Sequence, residues 1–240
     1  MVANLIERTL KFRDEINTLK FSFDGYVYNP LDYGKKMHLL YLEKYVNHGV
    51  KALFLGMNPG PFGMAQTAVP FGEVNLVKEW MQLNKKVGKP AKEHPARPIL
   101  GLEVERSEIS GLRFWSLMRD RFGAATSFFK QFAVMNYCPL VFVDSGKTGK
   151  NIIPEKLPKD ELNNLENVCD AYLDDIVKLI EPQNLIGIGR YAEKKLLSAK
   201  ERINVNIPVY SILHPSPSNP RANSGWSAIA SSQLEEFGIW

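Results

Sequence analysis

Cysteine is scarce: only Cys138 and Cys169 occur in 240 residues. Two thiols so far apart cannot supply a four-thiolate iron–sulfur cluster or a four-ligand zinc site. In a reducing compartment they are expected to be buried thiols. The four histidines, His38, His48, His94 and His214, show no metal-ligand spacing. No metal and no other cofactor is therefore expected. Long apolar runs are missing as well, and none approaches the roughly 20 residues that span a bilayer. No membrane partner is expected. The opening MVANLIERTLKFRDEI is charged and helix-like rather than secretory, so the expected location is the cytosol, or the nucleus where the host has one. A strong charge of one sign is also absent. Lys+Arg number 30 against 26 Asp+Glu, a net +4. So mild an excess permits a nucleic-acid partner without demanding one.

What is present is a globular composition, with 45% hydrophobic residues. The length suits one domain over residues 1–240. Apolar residues from Asn4 to Leu19 recur at helical spacing. Asn29–Pro30 opens a second helix expected to run to about Asn47, with Gly49 beyond its end. Four short apolar runs read as buried strands: Lys51–Gly56, Phe132–Tyr137, Asn184–Gly189 and Pro208–Leu213. Helical stretches, Glu161–Ile180 and Tyr191–Lys200, lie between the later runs. Alternation of buried strands and helices predicts an α/β fold with a parallel sheet covered on both faces. The proline-rich, basic stretch Asn84–Pro98 reads as a surface loop, solvated or facing a polyanion.

In an open parallel sheet, ligands bind beyond the carboxyl ends of the strands. The first strand is followed by Gly56-Met57-Asn58-Pro59-Gly60-Pro61-Phe62-Gly63-Met64. The second carries Asn136 near its end, the third ends in Gly189-Arg190, and the fourth ends in His214-Pro215-Ser216-Pro217. Two asparagines and a histidine thus converge on one edge. Taken singly, each has a plain structural reading. Asn-Pro-Gly is a common turn, Asn136 suits a buried backbone partner, and His214 suits a loop anchor. Gly187-Ile188-Gly189 lacks the third glycine of a dinucleotide fingerprint.

Together the blocks LFLGMNPGPFGMAQTAVPFGEV, HPARPILGLE, SGLRFW, NYCPL, GIGRYAEKK and HPSPSNPRANSGW resemble the single-strand-selective monofunctional uracil-DNA glycosylases. These belong within the uracil-DNA glycosylase superfamily. The blocks follow the family's order from about Pro30 to the end. The resemblance implies a three-layer α/β/α fold around a four-stranded parallel sheet, and hydrolysis without a cofactor. It implies excision of uracil and 5-modified uracils such as 5-hydroxymethyluracil from single- and double-stranded DNA in base excision repair. The enzyme is expected to act as a monomer, associated with the nucleoid or the nucleus.

The same resemblance assigns roles. Glycosidic cleavage of this type passes through an oxocarbenium-like sugar while the base leaves as an anion. Asn58 matches the residue that positions water, and an amide cannot serve as a general base. His214 matches the histidine that hydrogen-bonds the leaving base, with its protonation state left open. Asn136 matches the base-reading asparagine, whose amide must be locked by neighbours to discriminate bases. Phe71 matches the stacking aromatic. Met57, Gly60 and Met64 surround the base-binding loop, where a displaceable water makes room for a 5-substituent. Pro215, Ser216, Pro217, Ser218, Asn219, Pro220 and Arg221 match the wedge that enters the stack as the base is extruded. Ser218 departs from the arginine of vertebrate members, and Arg221 is the candidate compensator. Gly189 and Arg190 precede a helix whose backbone N–H groups can hold a phosphate. Lys194 and Lys195 follow on that helix and read as charged or merely solvated. Three other readings compete: a glycosylase for deaminated purines such as xanthine or hypoxanthine, a non-catalytic binder of damaged DNA, and an unrelated small-molecule hydrolase.

Overall fold

The structure, a computed structural model, describes residues 1–240. Along the chain, α1 (Val2–Thr18), β1 (Gly25–Tyr28), α2 (Pro30–Tyr33) and α3 (Lys35–Tyr45) precede β2 (Ala52–Gly56) and the short α4 (Met64–Thr67). Then come α5 (Ile109–Phe122), α6 (Ala125–Phe129), β3 (Phe132–Asn136), β4 (Val141–Asp144) and β5 (Asn151–Ile152). The remainder is α7 (Lys159–Ile180), β6 (Leu185–Ile188), α8 (Arg190–Arg202), β7 (Val209–Ile212), α9 (Pro220–Asn223) and α10 (Trp226–Glu236). No helix is long and apolar enough to cross a membrane.

The four runs expected as strands are β2, β3, β6 and β7, each trimmed by a residue or two. They form one all-parallel sheet in the order β3-β2-β6-β7. All five residues of β2 are buried, as a strand covered on both faces requires. On one face Phe54 packs against Phe114 of α5 and Phe128 of α6. On the other, α8 lies over β6 and β7, with α7 beside it and α1 outside α7. The α1 periodicity places Leu5, Thr9, Phe12 and Ile16 inward. Phe12 stacks on Tyr172 of α7 with ring centroids 3.9 Å apart. The fold is the expected three-layer α/β/α. Strand order reverses about β2, so the crevice beyond β2 is where such sheets take ligands.

Two expectations need correction. The helix from Pro30 to about Asn47 is broken at Gly34, between α2 and α3. A Cβ at Gly34 would lie 2.5 Å from Ala68 Cβ and 2.6 Å from the Pro30 carbonyl. Only glycine fits at this break, where the backbone packs closely against Ala68. Strand periodicity also left out a second, antiparallel sheet in the order β1-β4-β5. Its strands have four residues or fewer, too short for an alternating pattern to stand out. β4 follows β3 after a four-residue connection, Tyr137 to Leu140, and so brings this sheet beside the crevice. Asn84–Pro98 is irregular, as expected. Tyr28 pins it, its hydroxyl donating to the Arg97 carbonyl at 2.9 Å and accepting from the His94 N–H at 2.7 Å.

Candidate active site

β2 delivers the chain to the crevice through Gly56, Met57 and Asn58. Two prolines in the next three residues remove backbone donors, so the loop cannot extend the ladder. It is braced instead by Gln66, which is buried. The Gln66 amide donates to the carbonyls of Pro61 at 3.0 Å and Pro98 at 3.1 Å. Its oxygen accepts from Leu100 N–H at 2.8 Å and Gly101 N–H at 3.1 Å. One Asn58 amide hydrogen is held by the neighbouring Pro59 carbonyl at 3.3 Å.

Asn136 ends β3 directly opposite Gly56. Its Nδ2 donates to Met64 Sδ at 3.2 Å. Its Oδ1 is buried and accepts nothing from the protein. A Cβ on Gly56 would collide with that oxygen and sit 2.6 Å from the Phe71 ring. Met64 therefore holds the carboxamide, and the bare Gly56 leaves room for it and for the Phe71 ring. Phe71 has φ +53°, a left-handed conformation that costs a bulky residue on the order of 1–3 kcal/mol. It is held by stacking on Phe114, with centroids 5.2 Å apart. The Pro70 carbonyl just before it accepts from Trp115 Nε1 at 3.2 Å.

His214 leaves β7 next to Leu213, which α10 anchors twice. Gln233 accepts the Leu213 N–H at 2.9 Å, and Trp226 Nε1 donates to its carbonyl at 2.6 Å. The Ser216 N–H donates to His214 Nδ1 at 3.1 Å. A neutral imidazole accepting at Nδ1 carries its proton on Nε2. Burial lowers the His214 pKa from 6.5 to about 4, so the ring is neutral at pH 7 with one N–H left to donate. The ring lies 6.3 Å from that of Phe71, centroid to centroid. Asn58, Asn136, Phe71 and His214 line one cavity of about 410 Å³.

The model of the uracil DNA glycosylase superfamily matches residues 43–231. Single-strand selective monofunctional uracil DNA glycosylase of Bos taurus is 42% identical over all 240 residues, covering 88% of its own length. Those of Rattus norvegicus and Mus musculus are each 41% identical over the same span, covering 86% and 85% of theirs. The chain belongs to the uracil DNA glycosylase superfamily. The crystal structure of wild-type SMUG2 from Pedobacter heparinus superposes with a TM-score of 0.66 at 18% identity. That match covers 98% of this chain and 97% of the other, and it supports the superfamily fold.

Met57, Gly60, Met64, Ser216, Pro217 and Ser218 line the same cavity. Gly189, Arg190, Asn219 and Arg221 do not reach it. They line an adjoining groove of about 440 Å³ that meets it at His214. Pro215 and Pro220 line neither. Pro220 instead opens α9, where Asn219 Oδ1 accepts the Arg221 N–H at 3.1 Å. Lys195 departs from both readings offered for it. It is 8% exposed and its Nζ lies 2.9 Å from Glu166 Oε2, turned away from solvent.

Sequence reasoning missed Glu108, Ser110, Asn151 and Ile153, which also line the cavity. Glu108 caps α5 by accepting the backbone N–H groups of Ser110, at 3.1 Å, and Gly111. Desolvation raises its pKa, opposed by those two hydrogen bonds. Glutamate is not among the favoured N-cap residues, so the sequence carried no clear signal for this cap. Asn151 and Ile153 come from the second sheet and its exit, which periodicity does not mark.

Proposed function

We propose that this chain removes uracil and 5-modified uracils from DNA by hydrolysing the bond between C1′ and N1. The enzyme class, monofunctional DNA N-glycosylase, follows from superfamily membership and the full-length relatives. The residues 1–240 act as one domain and one protomer, with the target nucleotide flipped out of single- or double-stranded DNA. The nucleoid or nucleus is where such a substrate lies.

The observation that carries this reading is the shared cavity of Asn58, Asn136 and a neutral His214. As the C1′–N1 bond breaks, its electron pair leaves with the base and the sugar becomes cationic. The His214 Nε2–H donates to the base oxygen on which that charge collects. One placed donor of this kind contributes about 3 kcal/mol to the transition state. Asn58 holds the water that adds to C1′, giving an abasic sugar and the free base. An amide accepts no proton, so positioning and electrostatics supply the catalysis. Asn136 Oδ1 accepts uracil N3–H, which explains why a buried oxygen is left without a protein partner. Its Nδ2 serves O4, Phe71 stacks on the ring, and the Met57–Met64 loop faces the 5-substituent. Pro215–Arg221 form the wedge, and Gly189 and Arg190 face a flanking phosphate.

The test uses oligonucleotides bearing uracil, 5-hydroxymethyluracil, xanthine or hypoxanthine, single- and double-stranded, followed by alkaline cleavage of abasic sites. Cleavage at uracil and 5-hydroxymethyluracil is expected. Cleavage confined to the purines would move the substrate assignment, and binding without cleavage of any would remove it.

A further inference from the structure

The segment after His214 is held by a side chain from a distant element. Arg113 lies on α5. Its Nη1 donates to the Pro215 carbonyl at 2.9 Å, and its Nη2 to Asn223 Oδ1 at 2.9 Å. Asn223 Nδ2 in turn donates to the Pro217 carbonyl at 2.9 Å. One guanidinium and one carboxamide thus fix two carbonyls of a three-residue turn. The two prolines of that turn have no N–H and cannot be tied into a ladder. Its one amide, that of Ser216, is the donor to His214 Nδ1.

We infer that Arg113, acting directly on Pro215 and through Asn223 on Pro217, is a positioning residue for hydrolysis. It sets the Pro215–Pro217 turn and, through Ser216, the tautomer and orientation of the His214 imidazole. The inference rests on the role proposed above for His214. It also gives α5 a double duty, since the residue next to Arg113, Phe114, supports Phe71 by stacking. Movement of α5 therefore acts on the base-stacking ring and on the histidine together. Arginine suits the task because its planar fork reaches two acceptors in fixed directions, whereas lysine offers a single point charge. Both acceptors are neutral, so geometry rather than charge pairing is what the fork supplies.

Three variants test it: Arg113→Lys, Arg113→Gln and Asn223→Ala. A misplacement of about 1 Å near a reacting group lowers turnover about 100-fold, so kcat is expected to fall about 10- to 100-fold in all three, with KM little changed. Combining Asn223→Ala with Arg113→Gln should lose less than the product of the two separate losses, because both residues hold the same turn. The second readout is independent of activity: nitrogen NMR of His214. Wild type is expected to show the Nε2–H tautomer, and the variants a mixture with a pKa moved up towards 6.5. Asn223 is exposed, so its variant remains informative if the Arg113 variants fail to fold. Retention of kcat by Arg113→Lys, with loss only in Arg113→Gln, would make Arg113 a plain phosphate contact and overturn the inference. So would an unchanged His214 tautomer in every variant. Absence of glycosylase activity in wild type would strike the proposed function instead, leaving the tautomer measurement to decide this one.

Discussion

The Ser216 N–H points at Nδ1 of His214, and this one contact decides what the histidine can do. The only proton a neutral ring then carries is on Nε2, so the residue is a donor and not a base. Burial adds to the bias by holding the pKa at about 4. In the proposed reaction a leaving base anion therefore meets a neutral donor. The first prediction concerns pH and activity. His214 stays neutral from pH 7 down to about 4, so kcat measured between pH 5 and 7 should show no inflection assigned to it. A loss of activity near pH 6.5 that vanishes in His214→Asn would contradict this.

The same burial has a cost in stability. His38 is also buried, with its pKa lowered to about 4 by desolvation, against a hydrogen bond to the Ala68 carbonyl. The unfolded chain takes up protons on both histidines as pH falls below about 6.5, while the folded chain does so only near 4. Between those values the unfolded state binds more protons, so stability is lost as pH falls. Urea midpoints should decline from pH 6.5 to 4, with a slope that His38→Gln reduces by about one proton. A pH-independent midpoint over that window would refute it.

Asn58→Ala should lose turnover by about 100-fold or more, the scale for one positioning or oxyanion-type group, while affinity for uracil-containing DNA persists. Single-turnover cleavage alongside fluorescence anisotropy on the same oligonucleotide separates the two. Full activity in this variant would remove Asn58 from the mechanism.

Lys195 supplies a stability prediction. Its Nζ is 2.9 Å from Glu166 and 3.7 Å from Asp170, and it sits over the Tyr137 ring at 4.9 Å. Breaking a buried pair costs on the order of 3–5 kcal/mol. Glu166 keeps a quarter of its side chain in solvent, so Lys195→Met is expected to cost about 2 kcal/mol in chemical unfolding. Affinity for DNA should be unchanged. A steep fall in affinity would return Lys195 to the DNA-facing surface.

Much of this was legible beforehand. The parallel strands are continuous apolar runs, and that is how doubly covered strands must read. Convergence of Asn58, Asn136 and His214 followed from one rule about strand ends. The antiparallel sheet was not legible, because β5 has only two residues and its pairing is set by distant contacts. Lys195 was misread because a helical lysine beside another lysine resembles a solvated pair. Its burial depends on Glu166 and Asp170 of α7, which sequence spacing does not place. Arg113 and Asn223 stand 110 positions apart, beyond any local pattern.

Gly56 carries the last prediction. Sequence reading took it only as a strand end, yet its missing side chain is what lets Asn136 and Phe71 approach each other. A methyl there would meet the Asn136 oxygen and come within 2.6 Å of the Phe71 ring. Both are restrained, the Asn136 carboxamide by its hydrogen bond to Met64 Sδ and Phe71 by stacking on Phe114. Overpacking of this kind costs about 1–3 kcal/mol, and here the displaced atoms are those proposed to read the base. Gly56→Ala should therefore lower kcat/KM for uracil about 100-fold, by the same misplacement argument, with a smaller proportional loss of stability. Comparison of uracil with 5-hydroxymethyluracil then tells how far the disturbance spreads: equal losses are expected if only Asn136 and Phe71 move, since both bases would use them alike, and unequal losses point to the Met57–Met64 loop. Wild-type activity in Gly56→Ala would mean that the contact between these three residues has no part in base recognition.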